Sequence, residues 1–92
     1  GRPLRLVTSE RQLVAGRIAD ISLGGVRVYA QQPIRHRARA CEIRLQDRAI
    51  PVRQVRVAAG PDCLAYGLAF EDLSPRDREF LQGFIGQAGR TA

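Results

Sequence analysis

The sequence predicts a mostly-β domain of six antiparallel strands followed by one C-terminal helix. Apolar residues recur at a spacing of two in six short segments separated by turn residues, whereas apolar residues at helical spacing occur near the C-terminus. A length of 92 residues allows one small core, so residues 1–92 read as a single domain.

Each element follows from its own pattern. Leu4-Arg5-Leu6-Val7-Thr8 alternates in part, Ser9-Glu10-Arg11-Gln12 is polar, and Leu13 to Ala19 resumes the alternation, as a hairpin does. Asp20-Ile21-Ser22-Leu23-Gly24-Gly25 interrupts it with two adjacent glycines, which admit positive φ in a tight turn, before Val26-Arg27-Val28-Tyr29-Ala30. A loop starts at Gln31-Gln32-Pro33. Ala40 to Leu45 then sets Cys41, Ile43 and Leu45 on one face against Glu42 and Arg44 on the other. Asp47-Arg48 turns the chain. Ile50, Val52, Val55 and Val57 break the spacing of two between Val52 and Val55, which predicts a bulge near Arg53-Gln54. Gly60-Pro61-Asp62 is the next turn, and Cys63 to Phe70 is the last strand, with Leu64, Tyr66, Leu68 and Phe70 on its inner face. Ser74-Pro75-Arg76-Asp77 starts the helix: Ser74 caps free amides, Pro75 suits the first helical position, and Asp77 and Glu79 complement the positive end of the dipole. Phe80, Leu81, Phe84 and Ile85 form a stripe that must dock on a barrel mouth or a sheet face, and Gly86 and Gly89 are expected to end the helix.

Composition narrows the function. Hydrophobic residues at 45% and charged residues at 26% are ordinary for a folded chain, and no apolar run approaches the roughly 20 residues of a membrane helix, so no insertion of this domain into a membrane is expected. Fifteen basic residues against nine acidic give +6, and every basic residue is Arg, whose planar fork pairs bidentately with phosphate and stacks on rings. An anionic partner fits that balance. Cys41 and Cys63 lack a metal-ligand spacing and His36 is the only histidine, so no metal or cofactor is expected; free thiols fit the cytoplasm. The start Gly1-Arg2-Pro3 has neither an initiator Met nor an apolar leader, which reads as a domain cut from a longer chain. One histidine, no glycine-rich loop opening a helix and no Ser/His/Asp grouping leave too few parts for an enzyme.

Asp20-Ile21-Ser22-Leu23-Gly24-Gly25 is the segment with binding chemistry. An acid and a hydroxyl two apart share one side of an extended chain; the carboxylate can accept from a guanine N–H edge, the hydroxyl can bond a phosphate oxygen, and glycine lets a ligand approach the backbone. The same spacing fits an Asx-type turn in which both side chains bond neighbouring amides.

Asp20-x-Ser22-x-x-Gly25 resembles the D/N-x-S-x-x-G signature of PilZ domains, bacterial receptors for cyclic di-GMP. Two strands precede it, Val26-Arg27-Val28 follows it, Tyr66-Gly67-Leu68-Ala69-Phe70 resembles the family's late G-x-x-F strand, and Leu73 to Ile85 its terminal helix. The resemblance implies a six-stranded antiparallel barrel with one C-terminal helix, and a cyclic di-GMP site made by Arg2, Arg5, Asp20, Ser22 and Gly25. In that site Asp20 takes a guanine edge, Ser22 anchors phosphate or the turn, Gly25 holds the turn open, and arginines clamp phosphate or stack on a base.

The family's R-x-x-x-R pair before the first strand is incomplete, since only Arg2-Pro3-Leu4-Arg5 is present. Arg2 matches the second arginine, which puts its partner before Gly1 and truncates the N-terminal arm; alternatively Arg5 completes a shortened R-x-x-R. Arg35 to Arg39 and Arg44 to Arg48 repeat the spacing, but after the signature, where the family does not place binding arginines. Such a domain couples cyclic di-GMP binding to a protein partner or a tethered domain, for example a polysaccharide synthase in exopolysaccharide production. A second reading is a PilZ-like protein-interaction adaptor that does not bind nucleotide. DNA or RNA binding is disfavoured, because three Phe and two Tyr lie mostly at inward or helical core positions and leave few rings for stacking.

Overall fold

Alternation and cross-strand pairing together decide which side chains fill the interior. The computed structural model describes residues 2–35, 37–59 and 64–90, with the side chains of 88–90 excepted. It contains β1 (Pro3–Thr8), β2 (Leu13–Ile21), β3 (Gly25–Ala30), β4 (Ala40–Leu45), β5 (Arg48–Ala59), β6 (Leu64–Phe70) and α1 (Pro75–Arg90). All pairings are antiparallel, and the strands close in the order β1-β2-β3-β6-β5-β4 with β4 returning to β1. The expected six-stranded barrel with one terminal helix is therefore the fold. The Gly60-Pro61-Asp62 turn, Cys63 and His36 lie outside the described residues.

Leu6, Val14, Val28, Ile43, Leu45 and Ile50 are almost wholly buried in the barrel, joined by Val26, Val52, Tyr66 and Leu68. Each such aliphatic side chain contributes about 1.5–3 kcal/mol on burial. Buried Thr8 sits at the β1–β2 turn, where its Oγ1 accepts from the amides of Gln12 (3.0 Å) and Glu10 (3.3 Å). The Tyr66 hydroxyl accepts from the Ile34 amide at 3.0 Å, fastening the β3–β4 loop across the same end.

At the opposite end α1 docks. Ser74 Oγ accepts from the Asp77 amide at 3.1 Å, as expected of a cap, and Asp77 also receives the Arg48 guanidinium at 3.1 Å. Leu81 and Phe84 join the barrel core, and Phe80 stacks on Phe84 at 6.2 Å between centroids. Contrary to expectation, the helix runs through Gly86 to Arg90. An exposed glycine inside a helix costs only about 1 kcal/mol relative to alanine, which is not enough to stop it. No helix among the described residues is long and apolar enough to cross a membrane.

Three register shifts alter the expected faces. Thr8 pairs with Ala40 and Val7 with Glu42, so Cys41 is the extra residue of a bulge. Ala40 takes the interior position, while Cys41 is exposed with its Sγ 3.5 Å from the Val7 carbonyl; the expected inward Cys41 is thereby corrected. In β5 the shift falls between Gln54 and Arg56, one residue beyond the expected place, and Val55 and Val57 end up about half exposed rather than inward. The third lies in β2 between Ile18 and Asp20.

Positive φ was the expected use of Gly24 and Gly25, yet among the described residues it occurs at Arg11, Gln46 and Asp72 and at no glycine. Gly25 is needed for space instead: a Cβ there would collide with the Leu68 carbonyl oxygen across the β3–β6 ladder. At Gly24 a Cβ would meet only Ser22 Oγ, at 3.8 Å.

Two predictions follow from this packing. Leu81→Ala should lower unfolding free energy by about 2–5 kcal/mol, read from the denaturant midpoint, by opening a cavity between helix and barrel. Gly25→Ala should be markedly destabilising whereas Gly24→Ala should stay within about 0.5 kcal/mol of the parent; equal effects would contradict the steric account.

Candidate functional site

The turn between β2 and β3 is built by a strand that changes face. Ile18 pairs with Val28 and Asp20 with Arg27, so Ala19 is an extra residue and the inward sequence of β2 passes from Ile18 to Ile21, which packs against the core. Without the bulge, alternation from Ile18 would send Asp20 into the apolar interior. With it, Asp20 stands on the outer wall beside Arg27, their charged groups 2.8 Å apart. Both side chains are more than half exposed (66% and 56%), so the pair contributes at most about 1 kcal/mol and leaves the carboxylate open to competition by a ligand.

Ser22 follows the strand. Its amide donates to the Gly25 carbonyl at 2.9 Å, and its Oγ accepts from the Gly24 amide at 3.2 Å. The Gly24 carbonyl accepts from the Phe70 amide at 3.0 Å, which fixes the turn to the end of β6. Of the two sequence readings of this segment, the local turn holds for Ser22 but not for Asp20, which bonds an arginine. Gly25, packed on Leu68, sets how closely β3 approaches β6.

Outward residues of β6 extend the site into a shallow trough. Ala69 lies opposite Gly25 and Arg53, while Gly67 lies opposite Arg27 and Arg56. Small residues thus form a floor between arginine-bearing strands, a surface on which a flat ring can lie beneath guanidinium groups. Arg53 is held 3.1 Å from Glu71. From sequence, Arg27, Arg53 and Arg56 read, with Arg35, Arg37 and Arg39, as exposed strand and loop faces of which one or two can still reach a ligand. Ala65, Gly67 and Ala69, alternating with Tyr66, Leu68 and Phe70, were the available signal.

Arg2 and Arg5 are separated by the fold. The Arg2 carbonyl accepts from the Ile18 amide at 2.8 Å, placing this residue near the bulge, and its half-buried guanidinium lies 4.9 Å from the Phe84 ring centroid. Arg5 points outward from β1 between Ala15 and Arg44. Ala15 precedes Asp20 by five positions along β2, roughly 16 Å at strand rise. Arg5 instead lines a broad concavity of about 810 Å³ on the β1–β2–β4 wall, with Arg17, Arg44, Leu13 and Ala15; Asp20, Ser22 and Gly25 are not part of it. The structure thus brings Arg2, Asp20, Ser22 and Gly25 to one end of the barrel and leaves Arg5 on another wall. Among the described residues no group of His, Cys, Asp and Glu could hold a metal.

Comparison with known proteins agrees with this architecture. The structure is similar to YcgR in complex with c-di-GMP from Escherichia coli at 16% identity and a TM-score of 0.74, covering 99% of this chain and 43% of that one. It is also similar to the PilZ domain with c-di-GMP of YcgR from Escherichia coli at 16% identity and a TM-score of 0.77, covering 97% of this chain and 83% of that one. The chain therefore spans under half the length of the longer YcgR chain, and identities this low establish a shared fold. No curated protein matches the sequence. The profile of the PilZ domain matches residues 2–87, nearly the whole length, and the chain belongs to the PilZ domain family.

Proposed function

We propose that this domain is a cyclic di-GMP receptor module that binds the nucleotide at the bulged end of β2 and passes the event to a partner or tethered domain. The observation that carries the reading is Asp20, turned outward at the signature turn of a PilZ barrel and beside a trough flanked by arginines. The carboxylate accepts the N–H edge of a guanine, and Arg27, released from Asp20, is free to take a phosphate or a base acceptor. Ser22 holds the turn and offers its hydroxyl, and Gly25 keeps the turn close to β6. The bound form in the YcgR structures lends support through the shared fold.

Arg2 supplies the route from ligand to output. Its contact with Phe84 is worth about 0.5–1 kcal/mol, so a dianionic ligand at the adjacent turn can draw the guanidinium away. Phe84 belongs to α1, and losing or keeping this contact changes the surface shared by the N-terminal segment and the helix. Binding does no chemistry in this scheme: the module is regulatory rather than enzymatic and works in the cytoplasm, with a polysaccharide synthase as one kind of tethered output. An adaptor without nucleotide binding is the competing reading, favoured by the fold's separation of Arg5 from Arg2.

Calorimetric titration of cyclic di-GMP into the parent and three variants tests the site. Asp20→Ala and Arg2→Ala should each weaken affinity by about ten- to a hundredfold, the loss of a charged hydrogen bond, with unchanged circular dichroism. Arg5→Ala should leave affinity unchanged, whereas a loss matching that of Arg2→Ala would assign the shortened arginine pair. Absence of binding by the parent would favour the adaptor.

A further inference from the structure

A closed barrel hides its strand edges, but β5 outruns its neighbour. Pairing of β4 with β5 runs from Leu45↔Arg48 to Glu42↔Pro51, while pairing of β5 with β6 continues to Ala59↔Leu64. The Gln54 side chain takes the next place, its Oε1 accepting from the Ala40 amide at 2.9 Å. Beyond it the preceding chain departs, because Arg39 bonds Ser9 through its amide (3.1 Å) and its carbonyl (2.9 Å). Among the described residues, Arg56 to Ala59 therefore pair along one flank only, and Val55, the extra residue of the β5 bulge, stands beside them without a ladder partner. Val55 and Val57 on this stretch are 55% and 50% exposed.

An unpaired edge bearing β-branched residues is a template for another strand. The charge around it selects the occupant. Arg37 and Arg39, on the loop leaving Gln54, and Arg56, on the strand itself, are all exposed, and among the described residues none forms an ion pair. A second copy of the chain would bring arginines against arginines across the new ladder, which is unfavourable for directly opposed like charges. An acidic strand meets the opposite sign.

We propose that the free flank of β5 from Arg56 to Ala59 is a docking edge for an extended acidic segment of a partner protein, which adds a strand there. Main-chain hydrogen bonds supply affinity, half-exposed Val57 accepts an apolar side chain, and the arginines select acidic residues beside it. This inference does not rest on nucleotide binding, but Arg56 also borders the trough, so the test is run without nucleotide.

The test uses the whole domain without nucleotide and a synthetic peptide of alternating glutamate and valine, matched in length to Arg53–Ala59. Amide hydrogen exchange should slow at alternate positions between Arg56 and Ala59, and affinity should exceed that of the lysine–valine counterpart at least about tenfold, the ratio set by 1.4 kcal/mol. Arg37→Glu with Arg39→Glu should remove that preference, and the backbone contacts of Arg39 to Ser9 do not need its side chain. Equal binding of both peptides, or binding without protection of these amides, would overturn the proposal. So would protection that grows with protein concentration alone, or that an oligonucleotide produces and the acidic peptide does not.

Discussion

The ladder between β1 and β4 turns a meander of strands into a ring, and the ring allows each strand only one inner face. Leu6 on β1 and Ile43 on β4 meet across that ladder and are both fully buried, so closure and core formation occur at the same place. A ring so small has no interior room for charge. A group that alternation would aim inward must therefore be turned out by a change of face, and a bulge makes that change in β2 and resets the inward position in β4. At Ala19 the extra residue brings Asp20 outside; at Cys41 it keeps Ala40 inside. One local irregularity thereby serves packing and the other serves the site.

The groups gathered at the helix end of the barrel are weakly held. Asp20 and Arg27 form an exposed pair, Ser22 bonds its own turn, and Arg2 rests on an aromatic ring. By contrast, the groups that fix their positions are deeply held: Gly25 is pressed on the Leu68 carbonyl, and the Gly24 carbonyl takes the Phe70 amide. A rigid frame with replaceable side-chain contacts suits a receptor, because a ligand exchanges weak contacts without disturbing the core. Arg48 and Arg2 carry the same logic to α1, one over Phe80 and the other over Phe84.

The strands, their order along the chain, the helix cap at Ser74 and the inner face of β6 were legible because each is encoded within a few consecutive residues. Cys41 was not. Its outward position depends on the register between β1 and β4, and residues so far apart in sequence leave no local pattern for it. Gly25 was singled out for positive φ, but its actual constraint is a carbonyl on β6, visible only once the strands pair. The same holds for Arg5: two arginines three apart look like one motif in sequence, while the strand carries one to the helix and the other to the β4 side. Arg27 gained its place beside Asp20 through a bulge whose sequence mark, Ile18 and Ile21 three apart, runs into the signature turn and reads as part of it.

The most direct test of the site is a two-dimensional amide NMR titration with cyclic di-GMP, because it reads position as well as binding. Perturbations should concentrate on Arg2, on the stretch from Asp20 to Arg27, and on Gly67 and Ala69 of the neighbouring strand. Perturbations centred on Arg5, Ala15 and Arg44, or none at saturating nucleotide, would contradict a receptor site at the bulged end of β2.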